Sequence, residues 1–126
     1  MSLYTVSSNP AFAEIVNAAM KAQTRGCLSS AAAVAELLTP YKPKSRFVIV
    51  DLRTIDDAPR FIDFVKSSGP ISDTLVIAVG TERDFSLLDQ RTYEALSGIM
   101  YLPFNAIELA LIISSLEVNR DPDNLP

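Results

Sequence analysis

The sequence predicts a doubly wound α/β domain, a parallel sheet with helices on both faces. Phe47, Val48, Ile49 and Val50 form a continuous apolar run with no polar alternation, and Leu75 to Val79 form a second. Runs of this kind read as strands covered on both faces, which is the environment of a parallel sheet. Between and around them lie segments with apolar residues at helical spacing, so that strand and helix signals alternate five times. Right-handed crossovers leave few topologies for such a chain. A flavodoxin-like five-stranded sheet, order 2-1-3-4-5, brings the carboxyl ends of strands one, three and four together, where ligands bind in such sheets.

Taken in order, Leu3 to Val6 is a short strand stopped by Ser7, Ser8, Asn9 and Pro10. Asn9 before Pro10 is a helix start, a capping side chain followed by proline at the first helical position. Phe12, Ile15, Val16 and Ala19 then recur at helical spacing to about Gln23. Thr24 to Leu28 is a weak, short strand, and Ser29 and Ser30 cap a second helix through Leu38, rich in small residues. A proline-bearing loop, Thr39 to Ser45, leads into the strand Arg46 to Asp51. After a polar loop, a helix from about Pro59 carries Phe61, Ile62, Phe64 and Val65 and ends at Ser68, Gly69 and Pro70. Thr74 to Val79 is the fourth strand. Asp84 is the expected cap of a helix bearing Phe85, Leu87, Leu88, Tyr93 and Leu96. Ile99 to Leu102 is the fifth strand, and Asn105 caps a last helix from Ala106 to about Glu117. The expected domain is residues 1–118, with 119–126 of tail or linker composition.

The totals exclude several function classes. A chain of 126 residues is one domain by size, and 48% apolar with 21% charged residues is a globular composition. A net charge of −4 with no Lys/Arg run argues against nucleic-acid binding. No apolar segment has the length of a membrane span, and no secretory signal pattern opens the chain. Cys27 is the single cysteine, so no intramolecular disulfide forms, which suits a cytoplasmic setting. It has no activating neighbours in sequence and reads as a small core residue. Histidine is absent, which removes Ser-His-Asp and Cys-His catalysis and His-based zinc sites. An enzyme is not expected, and the Ser7/Ser8 pair has no base to make a nucleophile.

Asp51, at the end of the third strand, stands where chemistry would sit. Here the chain resembles response-regulator receiver (CheY-like) domains along essentially its whole length. Val6 to Pro10 matches the place of an acid pair before the first helix, and Val48 to Arg53 is similar to the phosphoacceptor strand. Thr74 to Thr81 matches the fourth strand, and Ser97 to Phe104 the fifth with its Pro-Phe ending. The resemblance makes Asp51 the phosphoacceptor equivalent. It also shows the departures: Ser7 and Ser8 replace the magnesium-holding acids, Gly80 a hydroxyl residue, Leu102 a lysine, and Ile99 the aromatic switch position. The resemblance extends to an atypical receiver, of the kind found at the front of pilus-assembly ATPases of the CpaE/TadZ type.

Those losses have a physical meaning. Phosphoryl transfer is mostly positioning and neutralisation of developing charge by metal and cations. Magnesium favours carboxylate and water oxygens in octahedral array, and one carboxylate with two hydroxyls is a poor set. No cofactor is expected, and Mg²⁺ enters only if Asp51 is a phosphoacceptor after all. The other role open to Asp51 is a strand-end acid that caps nearby amides or pairs with a base. Arg53 is the candidate base, or pairs with Glu82. Asp56 and Asp57 are expected to favour the following helix N-terminus rather than to bind metal.

The last helix carries a second apolar face. Leu109, Ile112, Ile113 and Leu116 suffice for a core stripe, which leaves Ile107 and Leu111 directed elsewhere. The expected function is therefore a receiver-like regulatory module working by protein–protein contact, with a homodimer through the last two helices and last strand. Phe85, Leu88, Tyr93, Tyr101 and Phe104 are the other contributors to that surface, with phosphoacceptor signalling through Asp51 as the alternative.

Overall fold

A computed structural model describes residues 2–20, 24–28, 46–55, 57–67, 73–103 and 105–120. The strands are β1 (Ser2–Val6), β2 (Thr24–Leu28), β3 (Arg46–Asp51), β4 (Leu75–Gly80) and β5 (Gly98–Tyr101). The helices are α1 (Pro10–Met20), α2 (Ala58–Ser67), α3 (Glu82–Ser86), α4 (Gln90–Ala95) and α5 (Ala106–Arg120). The strands lie in the order β2-β1-β3-β4-β5, every neighbouring pair parallel. The fold is α/β and flavodoxin-like. The expected helix after Ser29 and the loop from Thr39 fall outside the described residues.

The continuous apolar runs are explained by the two faces of the sheet. Successive side chains on a strand point to opposite sides. Val48 and Val50 pack with Tyr4, Val6 and Val76 under Phe61, Ile62 and Val65 of α2. Phe47 and Ile49 face the other way, with Leu3, Ile77, Val79 and Met100, against Phe12 and Val16 of α1 and Leu109 and Ile113 of α5. Both faces of β3 and β4 are therefore dry from Phe47 to Val50 and from Val76 to Val79, and none of those positions is free to be polar. β3 registers Val50 against Val6 on one side and Ala78 on the other, so that three strand ends finish together.

Helix starts follow local capping chemistry. Asn9 Oδ1 accepts from Ala11 N at 3.1 Å, and Asn105 Oδ1 from Glu108 N at 3.1 Å. The segment after β4 departs from expectation. The cap of α3 is Thr81, and Asp84 is its partner three positions on, in a reciprocal capping box. Thr81 N donates to Asp84 Oδ2 at 2.8 Å, while Asp84 N donates to Thr81 Oγ1. The expected single helix is also two, because Asp89 caps a new start, accepting from Thr92 N at 2.7 Å. Leu87 is left exposed at the break. At the other end, α5 runs to Arg120, past the expected 118/119 boundary.

Two outcomes follow from these contacts. Ile77, fully buried in β4, leaves a cavity when shortened; Ile77→Ala is expected to cost about 2–5 kcal/mol in urea unfolding. In the capping box, the Thr81 amide and then its hydroxyl, both donating to Asp84, hold that carboxyl below its ordinary value of 3.8. A lowered folded value means that the stability linked to Asp84 is present above pH 3.8 and fades as pH falls through the folded value. Thr81→Ala is expected to return the Asp84 titration, read by carboxyl NMR, upward toward 3.8; an unchanged midpoint contradicts the assignment.

Candidate functional site

Asp51 ends β3 and is only 4% exposed. The chain turns sharply after it, with Thr54 N and Ile55 N both donating to the Asp51 carbonyl. Leu52 N donates to the Val79 carbonyl at 3.0 Å, which ties the start of the turn to β4. This geometry folds Thr54 back over the side chain of Asp51, three residues earlier.

The carboxylate is held from three directions. Oδ2 accepts the Ser7 hydroxyl at 2.8 Å and the Thr54 hydroxyl at 2.9 Å. Oδ1 accepts the Arg53 amide at 3.1 Å. The two hydroxyl oxygens are 3.1 Å apart. Each has a single proton, and the carboxylate is the nearest acceptor for each; the Ser7 hydroxyl also lies 3.5 Å from the Asn9 carbonyl. Their lone pairs are engaged from outside: Asn9 N donates to Ser7 Oγ, and Ser8 N to Thr54 Oγ1, each at 3.0 Å. Ser8 Oγ adds a bond to the Thr54 carbonyl at 3.0 Å. The loop after β1 and the loop after β3 are thus joined through one charged oxygen.

A hard divalent cation needs several oxygen lone pairs at one point. Oδ2 spends both of its lone pairs on hydroxyl protons, and Oδ1 spends one on an amide. The nearest oxygens belong to neutral hydroxyls that donate to the carboxylate. Among the described residues no group of three His, Cys, Asp or Glu side chains is placed to hold a metal ion. The residues present do not fit magnesium. They fit a buried carboxylate neutralised by hydrogen bonds alone.

The positions singled out in the sequence are only partly brought together. Ser7 is buried against Asp51, whereas Ser8 is exposed and reaches Thr54 instead. Gly80 is close-packed. A Cβ there would stand 3.0 Å from the Asp84 Cβ and 3.3 Å from the Leu52 Cβ, so a hydroxyl side chain has no room while Asp84 keeps its place in the capping box. Leu102 packs against the core on the α1/α5 face, and Ile99 is half-buried. Arg53 meets Asp51 through its backbone, not its guanidinium, and makes no ion pair with Glu82 among the described residues; its charge acts on Asp84. Asp57 precedes α2 with φ 57°, and its carbonyl accepts from Arg60 and Phe61. Asp56 lies outside the described residues, as does the side chain of Cys27. Thr54 was not singled out. Its signal was the Asp-x-x-Thr spacing, by which a hydroxyl after a strand-end acid turns back onto it.

The apolar surface divides as the helix geometry requires. Leu109 and Ile113 are buried, while Ile107 and Leu111 are 73% and 66% exposed on the same helix. Tyr101 is also exposed. Phe85 is buried rather than presented, because it sits beneath Tyr101 and Tyr93, edge to face at 5.1 and 6.5 Å between ring centres. It supports that surface without forming it. Leu88 is half-buried, and Phe104 lies outside the described residues.

No protein-family model matches the chain, and no curated protein matches it. Solved structures do. A response regulator receiver domain from Methylobacillus flagellatus superposes with a TM-score of 0.73 at 18% identity, over 92% of this chain and 98% of that one. A sensor protein from Polaromonas gives 0.74 at 19% identity, over 94% and 96%. A pilus assembly protein CpaE from Caulobacter crescentus gives 0.62 at 18% identity, over 91% and 98%. With the parallel sheet and an aspartate closing its central strand, these likenesses establish that the chain has the receiver fold of response regulators.

Proposed function

We propose that this chain is an atypical receiver-like regulatory module that works by protein contact, chiefly self-association, and not by magnesium-assisted phosphorylation of Asp51. The reading rests on one observation above the rest. The final helix satisfies its core with Leu109 and Ile113 and still presents Ile107 and Leu111 to solvent. Burying an exposed Ile or Leu is worth about 1.5–3 kcal/mol, so the surface carries a real drive to be covered. A second copy covers it economically, since an isologous contact uses each side chain twice.

The state of Asp51 supports the same reading. Its carboxylate accepts two hydroxyls and an amide where acids would bind metal, and position 102 is a leucine, not a lysine. The CpaE likeness is consistent with an atypical receiver serving a larger assembly. The low cysteine content and the lack of any described helix long and apolar enough to cross a membrane agree with a cytoplasmic setting. Residues 1–118 are proposed as the working unit. The second reading, a phosphoacceptor in two-component signalling, is favoured by one fact alone, the retention of an aspartate at the end of the central strand.

Light scattering or sedimentation at high micromolar concentration tests the first reading. The wild-type chain is expected to dimerise. Ile107→Glu with Leu111→Glu is expected to weaken the dimer at least about tenfold, the cost of one lost apolar contact of that size. Both positions are exposed, so thermal stability should change little, within about 0.5 kcal/mol per site. A wild-type chain that stays monomeric throughout contradicts the association claim.

A further inference from the structure

The surroundings of Asp51 contain a charge, two neutral hydroxyls bonded to it, and two loops joined through it. Cross-linking two loops across a strand-end carboxylate is work that a divalent cation does in a pocket of several acids. Here the hydroxyl protons of Ser7 and Thr54 occupy that place, at 2.8 and 2.9 Å from the same oxygen. Their outer lone pairs are held by the amides of Asn9 and Ser8, so the network is closed on both sides.

We infer that Ser7, Thr54 and Asp51 form a permanent latch that replaces the cation, making the negative charge of Asp51 a structural requirement and the domain indifferent to magnesium. The inference deepens the reading of an atypical receiver and rests on it. Three features of the geometry carry it. Hydrogen bonds to a charged acceptor are about twice as strong as neutral ones. Both hydroxyls share one acceptor atom, so deletion of either changes the environment of the other and their effects are coupled. The carboxylate is 4% exposed, so water does not replace a lost donor freely. Ser7 and Thr54 are thus positioning residues for Asp51, and Asp51 is the anchor of the loops after β1 and β3.

The discriminating readout is whether a magnesium response appears when a latch hydroxyl is replaced by a carboxylate, because an ordinary buried polar cluster gains none. Thermal unfolding of the full chain is to be followed in EDTA and in excess Mg²⁺. The wild-type Tm is expected to be the same in both. Asp51→Asn, which keeps the shape and removes the charge, is expected to lower Tm by roughly 5–10 °C, whatever the cation. Ser7→Asp puts a second carboxylate at the position whose hydroxyl now bonds Oδ2; it is expected to lose stability in EDTA and recover at least half of the loss in Mg²⁺. Should Ser7→Asp not fold in EDTA, the cycle of Ser7→Ala, Thr54→Val and the double variant decides, with strong non-additivity expected. A wild-type Tm that rises with Mg²⁺, an Asp51→Asn protein as stable as wild type, a Ser7→Asp protein unmoved by Mg²⁺, or additive single deletions overturns the latch. None of these results alters the dimerisation measured at Ile107 and Leu111, so the two claims fail separately.

Discussion

One oxygen atom organises the functional end of this domain. A carboxylate buried at the end of a dry central strand must be neutralised or it destabilises the fold. Receiver-type sheets place such a group where three strand ends meet. In this chain the compensation comes from two hydroxyls and an amide, all supplied by the loops that follow β1 and β3. The arrangement fixes the path of the turn after Asp51, and through Ser7 and Asn9 it fixes the entry to α1. The neighbouring strand end is fixed too, but by other means. Gly80 lets Asp84 pack directly over β4, and the Thr81 capping box keeps it there.

These two closures tie both strand ends with fixed side-chain contacts. Signalling through a receiver depends on a hydroxyl and an aromatic side chain that shift between two positions. Here the hydroxyl position is a glycine under a packed side chain, and position 99 is an isoleucine. The aromatic groups of this region instead meet edge to face, Tyr93 and Tyr101 each packing on the buried Phe85 while staying partly exposed themselves. The outer face of α5 carries Ile107 and Leu111 exposed to solvent, the surface on which the proposed association rests.

Much of the architecture was legible in the sequence because the dominant force leaves a simple trace. Strands dry on both faces erase polar alternation, and β3 and β4 show it clearly. Helix starts at Asn9 and Asn105 were legible because a capping side chain acts within three residues. The region after β4 was less so. Thr81 and Asp84 can each cap a helix, and only the reciprocal geometry shows which does; Asp89 then restarts the helix from a position that the apolar pattern passed over. At the site, the survival of Asp51 and the losses around it were visible as residue types. The role of Thr54 was not, because it depends on the tightness of a turn. Nor was the backbone role of Arg53, since a sequence advertises its guanidinium and not its amide. The resemblance puts Phe85 on the association surface, whereas Tyr93 and Tyr101 pack over it and leave it buried.

The central claim is that Asp51 is a structural acid and not a phosphoacceptor. It is tested most directly by intact-mass measurement after incubation with acetyl phosphate and Mg²⁺, comparing the wild-type chain with Asp51→Asn. Phosphorylation would form a bond between an Asp51 oxygen and phosphorus and release acetate, and that oxygen must first be freed from its hydroxyl partners. The account predicts no phosphorylated species in either protein. A stoichiometric gain of one phosphoryl group in the wild type, absent from Asp51→Asn, would contradict it.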